Sequence, residues 1–226
     1  MVDTLNNTGR TTLGDTRSGN GGKQGRVRKQ NRAKIIRAAE TVFAERGYSG
    51  ATTSAIADKA GLPKANVHYY FGTKSALYRE VIGNIVNLWL AALPDMSEQD
   101  DPAEVLTEYL RTKVMLSRDR PLASRIFANE IIHGAPVLKD YLATDLRQWV
   151  ADKSKVLTAW ERMGKMDPVD PYHLFFLVWA ATQTYADFDV QIRAVLGRRR
   201  KLQDDDFETA LETLTHVVLK GLGITR

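Results

Sequence analysis

The sequence predicts an all-α fold, and three observations support this. Apolar residues recur at helical spacing along most of the chain. No stretch shows the strict alternation of apolar and polar residues that is typical of a half-buried strand. Glycine and proline residues interrupt the periodic segments where helices are expected to end. We therefore expect an N-terminal helix-turn-helix domain of three helices, followed by a larger helical domain.

The composition excludes several classes of protein. The chain of 226 residues contains no cysteine, so it has no disulfide framework, thiol nucleophile or cysteine-based zinc site. No apolar run approaches the roughly 18 residues that a membrane helix needs. No apolar signal segment precedes the first predicted helix, so we expect a cytoplasmic protein with no membrane partner.

Positive charge is concentrated in the N-terminal part of the chain. Residues 1–64 contain 12 Lys and Arg against 5 Asp and Glu, whereas residues 65–226 contain 20 against 22. The formal excess of +5 therefore lies around the predicted helix-turn-helix. A polyanion such as double-stranded DNA is expected to bind this part.

Residues 1–26 are predicted to form a disordered basic tail. They are rich in glycine, threonine and asparagine and contain few large apolar side chains, so burial cannot offset the loss of chain entropy. Two interpretations of the basic side chains stay open: an arm that lies along DNA, or a solvated tail. The side chains concerned are those of Arg10, Arg17, Lys23, Arg26, Arg28 and Lys29.

The first clear helix is predicted over Gln30–Arg46, and Gly47 is expected to end it. Such a helix can pack across the two that follow and hold them in place. Its basic side chains Arg32, Lys34 and Arg37 could contact phosphate or face solvent. Its apolar face consists of Ile35, Ile36, Ala39, Val42 and Phe43.

Two short helices joined by a tight turn come next. Thr52 can cap the first, Thr53–Ala60, and Gly61 follows where a positive φ is needed. Pro63 suits the start of the second, Lys64–Tyr70, because a missing N–H is tolerated there. This arrangement is typical of a helix-turn-helix, whose second helix, here called the reading helix, enters the major groove of DNA.

The reading helix supplies the candidates for base recognition. Lys64 and Asn66 lie near its N-terminus, where Lys would favour guanine and Asn adenine. His68 could contact bases or face solvent, whereas Tyr70 and Phe71 are expected to be core residues. One such helix covers only half a site, so we expect a homodimer that places two of them about 34–36 Å apart.

The rest of the chain is predicted to be helical, with roughly nine helices in all. A long helix, Thr73–Leu93, is expected to leave the first domain and to end at Pro94. We place the domain boundary near Val81, which gives a DNA-binding domain over 27–81 and a ligand-binding and dimerisation domain over 82–226. The further helices are expected over Pro102–Ser117, Pro121–Ile132, Val137–Met163, Tyr172–Leu196 and Asp204–Leu222.

The last two of these helices carry apolar stripes that allow two interpretations. They could form the four-helix seam of a homodimer, which we favour, or they could pack only inside one subunit. One stripe consists of Leu174, Val178, Ala181, Tyr185, Phe188 and Ile192, and the other of Phe207, Leu211, Leu214, Val218 and Leu222.

A small-molecule effector is expected to bind in the second domain. Trp179 and Gln183 are four residues apart and therefore share a helix face, and Tyr109 and Thr182 could also face inward. Aromatic walls and an amide that both donates and accepts suit a flat polar ligand. The alternative is that Trp179 is a core residue, Gln183 a polar contact of its own helix, and Lys113 exposed. The candidate ligand-binding residues are Trp89, Lys113, Trp179 and Gln183.

The stretch Ala44–Val81 resembles the DNA-binding domain of the TetR family of transcriptional repressors. The resemblance implies a TetR-like fold, a dimer on operator DNA and phosphate contacts from Thr52, Tyr69 and Lys74. We expect Lys74 to be exposed and to have little packing role, and we add Thr53 to the candidate DNA-binding residues. The matching positions are Gly47, Thr52, Thr53, Ile56, Ala57, Ala60, Gly61, Tyr69, Tyr70, Phe71, Lys74 and Leu77.

Parts of the second domain are similar to regulators of pyrimidine utilisation within that family. This resemblance implies a repressor that releases DNA on binding uracil or thymine, with a pocket that includes Trp89, Trp179 and Gln183. A regulator with a different, non-pyrimidine effector is the alternative. The similar segments are Asn87–Leu93, Leu110–Leu138 and Asp167–Ile192.

An enzyme is the main rival class. His133, His173 and Asp187 could serve as acid–base groups or metal ligands, but we expect no His-x-x-x-His or Glu-x-x-His pair on a helical face, and the sequence contains no nucleophile elbow. We therefore expect no enzymatic activity, no cofactor and no metal. A DNA-binding protein without sequence preference is a third interpretation.

Overall fold

The fold is all-helical, as predicted. The computed structural model describes residues 20–93 and 95–224, with side chains from residue 24 onward, and these residues contain helices and no strand. Arg10 and Arg17 of the predicted tail lie outside the described residues, as does the side chain of Lys23. No helix in the described part combines the length and apolar character that crossing a membrane requires.

Eleven α-helices and one π-helical turn follow each other in the described ranges. The helix-turn-helix domain contains α1 (Asn20–Gly50), α2 (Thr53–Ala60), α3 (Lys64–Phe71) and the start of α4 (Lys74–Leu90). The remainder consists of α5 (Pro102–Asp119), α6 (Pro121–Ile132), α7 (Lys139–Tyr141), the π turn Leu142–Leu146, α8 (Arg147–Arg162), α9 (Pro171–Asp187), α10 (Asp189–Val195) and α11 (Asp204–Gly221).

Helix α1 is longer at its N-terminus than predicted. It begins at Asn20 rather than Gln30, so the prediction of disorder is wrong for residues 20–26, which are helical. The three glycines of this segment disfavour a helix. Adding turns to a helix that packing has already nucleated is nevertheless easier than starting a new one. Gly47 interrupts the helix with a φ of 65°, at the position where the sequence predicts its end.

The first apolar core holds the helix-turn-helix together. Ile35 and Phe43 of α1 are fully buried against Ile56 of α2, Val67 of α3 and Leu77 of α4. The same cluster continues into α6 and the segment that follows it. The reading helix is therefore fixed to the base of the second domain by continuous packing rather than by a flexible linker.

The second core shows that the stripes of the last two helices pack inside one subunit. Helix α5 lies against both α9 and α11, and Leu174, Val178, Leu211 and Val218 are buried in the cluster they form. Most of the stripe residues therefore pack inside the subunit, whereas Phe188 is 57% exposed, and a dimer seam made by these two helices stays a prediction. Periodicity identifies a buried face without identifying its partner. The exposed apolar side chains of these helices include Phe176 and Leu177 of α9 and Val217 of α11.

Three predicted helix bounds in the second domain also differ. Helix α4 ends at Leu90 rather than Leu93. The predicted helix Tyr172–Leu196 breaks at Phe188, which separates α9 from α10. The predicted helix Val137–Met163 begins as α7 and contains the π turn before α8. Such turns often occur at functional sites in helical proteins.

Candidate functional site

Local capping fixes the geometry of the helix-turn-helix. The Thr52 hydroxyl accepts a hydrogen bond from the Ala55 N–H at 3.1 Å and caps α2. Gly61 ends α2 in the left-handed region with a φ of 64°, a conformation that suits glycine. Pro63 precedes the reading helix α3 as its N-cap residue, and the Thr73 hydroxyl caps α4.

The reading helix presents most of the predicted DNA-binding side chains to solvent. Lys64, His68 and Tyr69 are exposed, and Asn66 is half-buried. Tyr69 keeps 70% of its surface accessible. The other side of the helix enters the core through Val67 and Phe71. Of the α2 candidates, Thr52 is exposed and Thr53 is half-buried.

Lys74 has a packing role, contrary to our expectation. Its Nζ donates hydrogen bonds to the carbonyl oxygens of Tyr48 at 2.9 Å and Ala51 at 3.0 Å. The same atom lies 4.4 Å from the centroid of the Tyr48 ring. The ammonium thus ties the start of α4 to the last residues of α1 and to Ala51 directly after them, because the backbone carbonyls there need a donor. A phosphate contact from Lys74 stays a prediction.

A cavity of about 330 Å³ lies in the second domain beside α4. All four candidate ligand-binding residues, which lie on α4, α5 and α9, line it. The remaining lining residues come mainly from α6, the π turn and α8 and are mostly apolar. The complete lining consists of Val86, Trp89, Leu90, Tyr109, Lys113, Phe127, Ile131, Tyr141, Leu142, Leu146, Trp149, Trp179 and Gln183.

Lys113 places a buried cation at this cavity. It is only 4% exposed, so the alternative of a solvent-exposed lysine does not hold. Its Nζ lies 4.4 Å from the centroid of the Trp89 ring, and it forms no ion pair with a carboxylate in residues 24–93 and 95–224. Burial lowers the pKa of Lys113 to about 8, and the charge of Asp187 opposes part of this shift. A ligand with a hydrogen-bond acceptor would compensate this lysine for its lost hydration.

Some polar side chains of α5 and α9 form hydrogen bonds within the protein, whereas others can form them with a ligand. The Trp179 indole N–H donates to the Tyr109 hydroxyl at 2.8 Å. Thr182, which the sequence suggested could face inward, does not line the cavity, and its hydroxyl donates to the Val178 carbonyl at 2.8 Å. The Gln183 side chain forms no hydrogen bond to the part of the chain that the structure describes, so its amide is available to a ligand.

Sequence reasoning missed Phe127, Tyr141 and Trp149 as cavity residues. Phe127 packs on Trp89 with ring centroids 4.5 Å apart, and Trp149 packs on Phe175 at 5.4 Å. Their apolar character was visible in the sequence. Which face of α6 or α8 turns toward α4 depends on tertiary packing, for which the sequence has no local signal.

A buried carboxylate lies between the cavity and the helix-turn-helix. Glu130 is 3% exposed and accepts hydrogen bonds from the Tyr78 hydroxyl at 2.9 Å and the N–H groups of Val137 and Leu138 at 2.6 and 3.2 Å. Burial and this hydrogen bond raise the pKa of Tyr78 above its ordinary value, so its phenol keeps its proton. Phe127, nearly one turn earlier on α6, lines the cavity. The carboxylate therefore joins a cavity-lining helix to α4.

The residues considered for an enzymatic site do not meet. His133 and Glu130 have a Glu-x-x-His spacing, but Glu130 is buried against Tyr78, whereas exposed His133 contacts the Asn129 carbonyl through Nδ1 at 2.7 Å. Asp187 accepts a hydrogen bond from the Ser124 hydroxyl at 2.6 Å. His173 lies against the Phe176 ring. No group of three or more metal-ligating side chains occurs among the residues with described positions.

Two family models match the chain in consecutive segments. The model described as "Bacterial regulatory proteins, tetR family" matches residues 35–81, which contain the helix-turn-helix. The model described as "YcdC-like protein, C-terminal region" matches residues 82–225, which contain the cavity.

Curated relatives and solved structures agree with these matches. The HTH-type transcriptional regulator RutR of Escherichia coli K12 is 39% identical over 202 residues, which cover 89% of this chain and 94% of that protein. The protein SCO4942 from Streptomyces coelicolor has a TM-score of 0.67 and 25% identity over 85% of this chain and 98% of its own. AibR, solved with isovaleryl coenzyme A and operator DNA, shares the fold with a TM-score of 0.65 and 17% identity over 83% of this chain and 97% of its own.

Proposed function

The chain belongs to the TetR family of transcriptional regulators, and from this premise we propose that it is a homodimeric repressor released from its operator by uracil or thymine. The observation that carries the proposal is the cavity beside α4, which brings Trp89, Lys113, Trp179 and Gln183 together. Its relatives are transcriptional regulators, and we propose no catalytic activity.

DNA binding is proposed for the exposed surface of α2 and α3. Lys64 and Asn66 would contact guanine and adenine in the major groove, and His68 lies on the same helix. Phosphate contacts from Thr52 and Tyr69 would set the register of the reading helix without reading sequence. Thr53 and Lys74 complete the proposed set.

The dimer is proposed to form through the exposed side of α9 and α11. Phe176, Leu177 and Val217 are 50%, 57% and 57% exposed, although they flank the stripes that are buried inside the subunit. Two such helix pairs would bury this apolar surface in a four-helix seam. The seam would relate two reading helices by a two-fold axis, as recognition of a two-part operator requires.

A pyrimidine fits the polar groups of the cavity. Its ring can stack against Trp89 or Trp179, its amide edge can exchange hydrogen bonds with Gln183, and a ring carbonyl can accept from Lys113. A ligand in this position contacts α4 directly, and the N-terminus of α4 follows the reading helix. A change in the tilt of α4 would move the reading helices relative to each other and weaken operator binding.

The apolar share of the lining favours a second candidate, a regulator with a different effector. Ile131, Leu142 and Leu146 offer no hydrogen bond to a nucleobase and would suit an effector that carries an apolar group. A screen by thermal shift separates the candidates, with uracil, thymine and an apolar carboxylic acid of similar size as the ligands. The pyrimidine proposal predicts that uracil and thymine raise the melting temperature and that the acid does not.

Gln183→Ala is expected to weaken uracil binding about tenfold or more, because the ligand loses hydrogen bonds to an amide. Affinity for operator DNA without effector should stay at the wild-type level, since Gln183 lies away from α3. Isothermal titration with uracil measures the first quantity and fluorescence anisotropy of labelled operator the second. Gln191→Ala, an exposed glutamine on α10, is the matched control. Unchanged uracil affinity in Gln183→Ala, or loss of the dimer, would contradict the assignment of the cavity.

A further inference from the structure

We propose that the exposed N-terminal turns of α1 form a second phosphate-binding surface for DNA, through Arg28 and Lys29. This inference rests on the DNA-binding function proposed above. It extends that function to a surface outside the helix-turn-helix motif, where the partner is the backbone of the same duplex.

These turns carry an unbalanced positive charge. Helix α1 begins at Asn20, and the first buried side chain among those described from Gln24 onward is that of Ile35, so about 22 Å of helix precedes this residue at a rise of 1.5 Å per residue. Between Asp15 and Glu40 the sequence contains eight basic residues and no acidic one. A helical segment that carries this positive charge and contains no carboxylate in its own sequence attracts a polyanion.

Two cation–π contacts hold one face of this segment against the reading helix. The Arg28 Cζ lies 5.9 Å from the centroid of the Tyr69 ring. One turn later, the Arg32 Cζ lies 5.4 Å from the centroid of the Phe71 ring, and Arg32 pairs with Glu80 of α4. The extension of α1 is therefore held beside α3 instead of projecting freely into solvent.

Arg28 and Tyr69 present polar groups to one region of the surface, and Lys29 lies on the adjacent side of the same helix turn. Tyr69 is 70% exposed, and the guanidinium of Arg28 lies by its ring. Lys29 follows at about 100° around the helix axis, is exposed, and forms no ion pair or hydrogen bond with the part of the chain that the structure describes. One phosphate located by Tyr69 could accept hydrogen bonds from Arg28 and from the phenol, and a neighbouring phosphate of the same strand could accept one from Lys29.

The opposite side of the same helix offers a matched control. Lys34 lies about 140° around the helix axis from Lys29 and about 120° from Arg28. It is exposed and forms no ion pair or hydrogen bond within the described ranges. It carries the same charge as Lys29 but points away from both proposed residues, so it separates a defined surface from a general effect of charge.

The test measures DNA affinity as a function of salt concentration. The probes are a duplex selected from a random-sequence library by the wild-type protein and an unrelated duplex of equal length. In Arg28→Ala/Lys29→Ala, the slope of log affinity against log salt should decrease in magnitude by about 1.8, because two phosphate contacts are lost. Both duplexes should weaken equally, so the ratio of their affinities should stay constant. Lys34→Ala should change the slope by less than about half of the 0.9 expected for loss of one contact.

A wild-type slope in Arg28→Ala/Lys29→Ala, or a change in Lys34→Ala equal to that in Lys29→Ala, would overturn the inference. Lys29→Ala alone breaks no contact in the described structure, so it keeps the test valid if loss of Arg28 stacking affects folding. Its slope should decrease by about 0.9. If wild-type protein does not prefer the selected duplex, the proposed function fails. If it does and the slopes are unchanged, only the α1 surface fails.

Discussion

Glu130→Ala is expected to lower the free energy of unfolding by about 3–5 kcal/mol. The substitution leaves the N–H groups of Val137 and Leu138 and the hydroxyl of Tyr78 without their acceptor, and the Glu130 side chain is buried. Each buried donor that loses its partner costs about 1–3 kcal/mol. Urea unfolding followed by tryptophan fluorescence measures the loss as a shift of the midpoint to lower urea.

Two further variants make this prediction specific. Tyr78→Phe removes one of the three donors and should cost about 1 kcal/mol. Glu104→Ala removes an exposed carboxylate of α5 and should change stability by about 0.5 kcal/mol or less. Equal urea midpoints for Glu130→Ala and Glu104→Ala would show that the buried carboxylate does not hold α6 to α4.

Lys113→Met is expected to have opposite effects on stability and on effector binding. The native protein without ligand should become more stable at pH 7, because a buried ammonium is replaced by an apolar side chain of similar length. Uracil affinity should fall by roughly 10- to 100-fold, since a charge-assisted hydrogen bond is lost. Thermal unfolding and isothermal titration measure the two effects. Lys139→Met, an exposed lysine of α7, is the control and should change neither.

The same lysine predicts a pH dependence of stability. Its pKa is about 8 in the native protein, whereas an unfolded chain has a lysine pKa of about 10.4. Between these values the unfolded state binds more protons than the native state, so the contribution of Lys113 to the free energy of unfolding rises with pH. Below pH 8 both states are protonated and this contribution is constant. The stabilisation of Lys113→Met over wild type should therefore shrink from pH 8 to pH 10; an unchanged difference would contradict the buried ammonium.

The sequence predicts best the features that local chemistry determines. Thr52 caps α2 and Gly61 ends it, so the short helices of the helix-turn-helix have the expected bounds to within a residue. The spacing of Trp179 and Gln183 likewise predicts that they share a helix face, and both line the cavity.

Features determined by packing between distant segments were not predictable in the same way. The stripe through Leu174 and Val178 has the period of a buried face, yet the sequence does not say whether α5 or a second subunit covers it. Lysine is a residue type usually found on the surface, but the ammonium of Lys74 donates hydrogen bonds to the carbonyl oxygens of Tyr48 and Ala51. Phe127 and Trp149 reach the cavity only because α6 and α8 fold back against α4 and α9.

The central claim is that the cavity and the reading helices are coupled, and it is tested most directly by measuring uracil affinity in the absence and presence of saturating operator duplex. The account predicts that operator weakens uracil binding, by the same factor by which uracil weakens operator binding, since coupling between two sites is reciprocal. A factor of about 5–150 is typical of such coupling. Equal uracil affinities for the free and the DNA-bound protein would contradict the account.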